Sequence, residues 1–228
     1  MATFFYLQTL LQNVAMSVLT VYNIKYNCGS ERRVYMNICV YGAASTKIDK
    51  SYITAVEELG LAMAKQGDNL VFGAGGNGLM GAAARGVKQG GGKITGVIPH
   101  FFKDETIEEI YSECDELIFT ETMRERKAKM EELADAFIIV PGGIGTYEEF
   151  FEILTLKQLG RHDKPIAIYN INGFYNNIEK LMYDAMNEKF IRSNCRMLYM
   201  IFSDPDEMFA YVHRSSSHGL TVHDLKDG

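Results

Sequence analysis

The chain has 228 residues, 47% of them hydrophobic and 23% charged, with 21 glycines and 4 prolines, which suits one soluble α/β domain long enough to bury a real core. A net charge of −6 argues against a broad nucleic-acid-binding surface, while leaving room for a small basic pocket. The four cysteines, Cys28, Cys39, Cys114 and Cys195, show no CxxC spacing, which argues against a zinc site or disulfide framework and for reduced thiols in a cytosol.

The first segment, "FFYLQTLLQNVAMSVLTVY", leans apolar but contains Gln8, Gln12 and Asn13. It lacks the basic start of a signal peptide and the clean apolar run of a membrane span. Residues 1–35 are therefore expected to lie outside the fold as an extension or over-long start, with a loosely docked helix as the alternative. From Met36 strands and helices alternate. Strand-like runs are Asn37–Tyr41, Asn69–Phe72, Lys93–Ile98, Glu116–Phe119, Ala136–Val140, Pro165–Tyr169 and Leu198–Phe202. Several are short, apolar and β-branched, as strands buried on both faces are. Helical patterns fall at Ser51–Gln66, Leu79–Gln89, Thr122–Ala134, Thr146–Leu159, Phe174–Glu188 and Pro205–Val212. This alternation predicts a single doubly wound, mainly parallel, Rossmann-like sheet with helices on both faces over residues 36–212. Residues 213–228 turn polar and read as a loose tail.

In such sheets ligands bind beyond the carboxyl ends of the strands, near the topological switch point. Strand one runs into "YGAASTKID", where Ser45 can serve a ligand or simply cap the next helix. Strand two runs into "GAGGNGLMGAAARG". Gly73 to Gly78 fit GxGxxG literally, but the motif follows the second strand and lacks an acidic residue about 20 positions on. It reads as a glycine loop close to a ligand, with NAD a minority option. Strand five runs into "PGGIGTYEEFFE", residues 141 to 152. One glycine would serve a plain strand-to-helix turn. Three bring bare N–H groups to a helix N-terminus, where an anion such as phosphate can bind. Glu148 and Glu149 differ by about 100° around the helix axis, so they cannot share one job. A phosphate on the backbone with a carboxylate beyond it suggests a ribose 5-phosphate.

The helix "TETMRERKAKM" supplies the complement, with Arg124, Arg126, Lys127 and Lys129 in its first turns. Such a run can be a solvated face, but its start after a strand end makes an arginine aimed at an anion reasonable. No GxSxG triad signal and no P-loop occur. The five histidines, His100, His162, His213, His218 and His223, are scattered, and nothing reads as a metal site.

The pair "MRERKAKM" and "PGGIGTYEE" resembles the signature of the LONELY GUY (LOG) family of cytokinin riboside 5′-monophosphate phosphoribohydrolases, long labelled lysine decarboxylases. The similarity spans Met36 to Val212 and includes "GLMG" at Gly78–Gly81 and "ADAF" at Ala134–Phe137. The resemblance implies hydrolysis of the N-glycosidic bond of adenosine 5′-monophosphates, often N6-substituted, in a homodimer with the site near the interface, and the cysteine usage suggests a cytoplasmic protein. The family likeness implies no metal or other cofactor, while the net charge and the lack of a clean apolar run argue for no nucleic acid and no membrane partner. Carried over by residue, Arg126 and Glu149 would be catalytic. Ser45, Gly75, Gly76, Asn77, Met123, Lys127, Gly142, Gly143, Ile144, Gly145, Thr146, Glu148 and Thr155 would bind substrate. The family's usual GGGxxGLMG reads Ala74 in second place here, its paired serines are reduced to Ser45, and Arg124 replaces a common histidine. A pyridoxal-phosphate decarboxylase is set aside, because no lysine is placed for a Schiff base. The alternative from another class is a non-catalytic nucleotide or molybdenum-cofactor carrier of the same fold.

Overall fold

The computed structural model describes residues 35–104 and 109–214. The expected extension lies outside the described residues except for Tyr35, and so does the expected tail beyond Arg214.

Seven parallel strands form one sheet: β1 (Asn37–Tyr41), β2 (Asn69–Phe72), β3 (Ile94–Pro99), β4 (Glu116–Thr120), β5 (Ala136–Ile139), β6 (Ile166–Tyr169) and β7 (Met200–Phe202). Their order is β4-β3-β2-β1-β5-β6-β7. The chain winds outward from β1 to β4, then returns to place β5 on the other flank of β1, with Val40 opposite Ile138. The switch point therefore lies between β1 and β5, which is where the sequence puts its small-residue loop and its PGGIGT turn.

Seven α-helices are described: α1 (Lys50–Gln66), α2 (Gly78–Gln89), α3 (His100–Asp104), α4 (Met123–Leu133), α5 (Ile144–Gln158), α6 (Asn176–Asn187) and α7 (Pro205–Arg214). The local signals for their ends are physical. Asp49 accepts the Ser51 N–H at 2.8 Å to cap α1, and Gly67, at φ 92°, closes it. Thr122 caps α4 by accepting the Glu125 N–H at 3.1 Å, and the Glu125 carboxylate reaches back past the cap to accept the Glu121 N–H at 2.9 Å. The short α3 was not expected. α5 starts two residues before its expected Thr146, with Gly143 as its extended N-cap. β7 starts at Met200 rather than Leu198, because Ser193–Met197 form a 3₁₀ turn.

Strand alternation splits the core in two. On one face Ile38, Val40, Leu70 and Phe72 meet α1, α2 and α7 through Leu59, Met63, Leu79 and Phe209. On the other, Cys39, Tyr41, Val71 and Phe137 meet α4 and α5 through Met130, Phe150 and Leu154. The second face carries the charged residues of interest at its carboxyl end.

Candidate active site

Three loops at the carboxyl edge are laced together by backbone. The Ala43 N–H donates to Pro141 O at 3.1 Å, and the Leu79 N–H donates to Ala43 O at 2.7 Å. Beside them lies a crevice of about 280 Å³ lined by Ala43, Ser45, Ile48, Tyr52, Leu79, Pro141, Gly142, Gly143 and Phe174. Apart from Ser45 its side-chain walls are largely apolar, and Ser45 Oγ accepts the Lys47 N–H at 3.2 Å. Tyr52 and Phe174, edge to face at 6.2 Å, belong to this crevice and carried no sequence signal.

The three motif glycines do different work. A Cβ on Gly142 would stand 2.1 Å from the hydroxyl oxygen of buried Thr146, so Gly142 lets the turn fold onto its own helix. A Cβ on Gly143 or on Gly145 would meet nothing within 4 Å. These two leave open space above the first turn of α5, whose leading N–H groups have no intrahelical acceptor. Ile144 sits between them with 87% of its surface exposed. That is the geometry an approaching anion needs.

The glycine loop after β2, expected close to a ligand, packs its backbone against other loops of the protein. Gly75 bridges Ile110, the Gly76 N–H donates to Glu109 O at 2.7 Å, and the Tyr111 N–H donates to Ala74 O at 2.8 Å. Its glycines let protein backbone come close: a Cβ on Gly78 would fall 2.4 Å from Ala43 O. Asn77 is the N-cap of α2 without a side-chain cap bond. Ala74, the departure noted in sequence, holds the left-handed region at φ 62° and is fully buried.

Arg126 is buried beneath this loop. Its Nε donates to Val97 O at 3.1 Å, one Nη donates to Gly73 O at 2.9 Å, and its Cζ lies 5.4 Å from the centre of the Phe102 ring. Gly73 is glycine for this reason, since a Cβ there would sit 1.7 Å from the guanidinium. Met123 Sδ lies 3.7 Å from the other Nη. Two backbone carbonyls and a ring thus fix the guanidinium at the ends of β2 and β3.

Glu149 and Glu148 part as the 100° step requires. Glu149 turns inward and is mostly buried. Burial pushes its carboxyl up to about 7, against the opposing pull of Arg126. Tyr41 lies within its field, a buried phenol hydrogen-bonded with Cys39 and held in its neutral form by burial. Glu148 faces outward and binds the Lys127 ammonium, which also binds Glu152 at 2.6 Å. Lys127 and Glu148, expected beside a nucleotide, are therefore paired with each other. Thr155 is not brought to this group. It sits six residues beyond Glu149, roughly 9 Å along the helix, donates to Phe151 O at 2.7 Å, and lines a separate cavity of about 330 Å³ with Phe190 and Arg192.

Among the described residues no cluster of three or more His, Cys, Asp or Glu could hold a metal ion, and no helix is long and apolar enough to cross a membrane. Residues 80–212 match the family described as possible lysine decarboxylase. The cytokinin riboside 5′-monophosphate phosphoribohydrolase LOG of Oryza sativa subsp. japonica is 39% identical over 171 residues, covering 75% of this chain and 69% of its own length. LOG4 of Arabidopsis thaliana, with the same activity in its name, is 36% identical over 173 residues, covering 74% and 77%. Among solved structures, the molybdenum cofactor carrier protein of Chlamydomonas reinhardtii superimposes with a TM-score of 0.60 at 21% identity, covering 81% of this chain and all of that one. The molybdenum cofactor binding protein of Rippkaea orientalis gives 0.57 at 20% identity, covering 79% and 96%. At such identities these two likenesses speak for the fold alone. The sequence matches decide the family: this chain belongs to the LOG family of cytokinin riboside 5′-monophosphate phosphoribohydrolases.

Proposed function

We propose that the protein hydrolyses the N-glycosidic bond of adenosine 5′-monophosphates, N6-substituted ones included, to free base and ribose 5-phosphate. One observation carries the reading: a carboxyl pushed up to about 7 stands on the same helix whose first turn is left open by Gly143 and Gly145. In this assignment the phosphate takes the N–H groups of Ile144, Gly145 and Thr146, with Ser45 across the crevice. The helical rise sets Glu149 roughly 7 Å below Ile144, so the ribose lies against its carboxylate.

Departure of the base leaves positive charge on the ring oxygen and C1′, which the Glu149 carboxylate stabilises. The same carboxylate takes a proton from the water that adds at C1′ and passes it to solvent, while the leaving base takes one up from solvent at a ring nitrogen, so that water is added across the C1′–N bond. A carboxyl that titrates near neutrality is poised to accept and return that proton. Arg126 cannot swing onto the substrate without abandoning Gly73 and Val97. It acts from its fixed place by balancing the Glu149 charge. No cofactor enters this scheme. A cytoplasmic homodimer with the site near the subunit interface completes the proposal, supported by exposed Ile144 at the mouth of the site.

Purified protein incubated with AMP and with N6-isopentenyladenosine monophosphate, followed by chromatography, tests the reading. Equal release of base and ribose 5-phosphate is expected, with Glu149→Gln binding nucleotide but not turning it over. AMP bound and never cleaved by the unaltered protein would instead establish a carrier.

A further inference from the structure

Lys127 is the least exposed side chain of its ion cluster, 14% exposed against 54% for Glu148 and 40% for Glu152. Its stem is packed down while its ammonium is held by two carboxylates, and both come from the neighbouring helix. Glu148 and Glu152 stand four residues apart on α5, a spacing at which two like charges repel. Lys127 resolves that repulsion. Arg126 and Lys127 are consecutive on α4, and Glu149 and Glu148 are consecutive on α5. Fixing Lys127 to Glu148 therefore also fixes how Glu149 stands in the field of Arg126.

We propose that Lys127 is a positioning residue: by bridging Glu148 and Glu152 it locks the Glu149 face of α5 against α4 and keeps two uncompensated carboxylates from confronting the catalytic one. The inference rests on the hydrolase reading for its kinetic consequence and on the ion cluster for its structural one. It replaces a nucleotide contact with a clamp made inside the protein. Glu152, which carried no functional signal in the sequence, becomes part of the site.

The charged groups facing Glu149 are Arg126 and Lys127 from α4 and Glu148 and Glu152 from its own helix, while Tyr41 and Cys39 from β1 face it uncharged. Lys127 and Arg126 favour the Glu149 carboxylate, and Glu148 and Glu152 oppose it. Removing each therefore moves Glu149 in a known direction.

The test is carboxyl-carbon NMR titration of full-length protein, with the Glu149 signal assigned by its loss in Glu149→Gln, run beside the pH profile of base release. In Lys127→Met the Glu149 midpoint is expected to rise by at least about half a pH unit, and the acid limb of kcat should move with it. Lys127→Arg should restore both, and Glu152→Gln should lower the midpoint. A Lys127→Met protein with an unmoved midpoint and a raised KM alone would overturn the clamp and make Lys127 a substrate ligand. Should Lys127→Met fail to fold, Glu152→Gln and Lys127→Arg decide the matter. An unmoved midpoint in Glu152→Gln also overturns the clamp. Absence of base release from the unaltered protein would sink the hydrolase reading and leave the titration to judge the clamp by itself.

Discussion

The glycines of the PGGIGT turn make opposite predictions when each receives a methyl group. At Gly145 the new Cβ meets no atom within 4 Å, and the residue is helical with an ordinary φ. Replacing glycine by alanine in such a place stabilises a helix by about 0.5–1 kcal/mol. For a domain of this size that is a rise of roughly 1–4 °C in Tm. The same methyl occupies the space through which a phosphate would reach the first-turn N–H groups. Losing one such charge-assisted contact costs about 1.5–3 kcal/mol, so AMP affinity should fall at least about tenfold. At Gly142 the Cβ would stand 2.1 Å from Thr146 Oγ1 and 2.5 Å from Thr146 Cβ, inside a packed turn. Overpacking of that kind costs about 1–3 kcal/mol, and the protein should melt earlier with or without nucleotide. Thermal melts of the two variants across an AMP titration separate the cases, because bound ligand raises Tm by mass action. Gly145→Ala binding AMP as tightly as the unaltered protein would refute the open anion site, and Gly142→Ala melting where the unaltered protein does would refute the packed turn.

The other expectations concern the groups behind the turn. Gly73→Ala should drive the Arg126 guanidinium from its two carbonyls, destabilising the fold by about 2–4 kcal/mol in urea melts and cutting kcat sharply; wild-type values in both would show that Arg126 has room to move. Ala74→Gly should relieve a left-handed backbone that costs an L-residue about 1–2 kcal/mol, less the packing of one buried methyl, giving a net gain of up to about 1 kcal/mol by the same assay. Glu149 has a folded pKa of about 7 against an ordinary value of 4.5, so the folded state holds the proton more tightly and the group costs stability as pH rises above 4.5, in full beyond 7. Glu149→Gln should therefore be more stable than the unaltered protein at pH 8, by something on the order of 3 kcal/mol, with the gain gone at pH 4.

The sheet was legible because parallel strands buried on both faces have no choice of residue type: Ile38 to Tyr41 and Ala136 to Val140 read as short apolar runs and stand side by side at the switch point. The division of labour between Glu148 and Glu149 was legible too, since it follows from helix geometry without any neighbour. What each glutamate meets was not. The pairing of Glu148 and Glu152 with Lys127 depends on how α4 packs against α5, and no local pattern encodes that contact. The crevice likewise joins Tyr52 to Phe174 across the chain.

Glycine is the instructive case. In the sequence, the loops after β2 and β5 look alike, and both suggest a ligand brought near bare backbone. A missing side chain records that something is close, not what it is. After β2 the close object is the protein itself: the Arg126 guanidinium against Gly73 and the first loop against Gly78. After β5, Gly142 answers to Thr146, while Gly143 and Gly145 answer to nothing in the folded chain. Glycines that the fold explains cannot also be counted as signs of a ligand, so the weight of the phosphate assignment falls on those two residues. The site is correspondingly smaller than its motifs suggest. On the proposed function, two open glycines would receive the anion, one inward carboxyl would face the sugar, and the neighbouring charges would hold that carboxyl where it is.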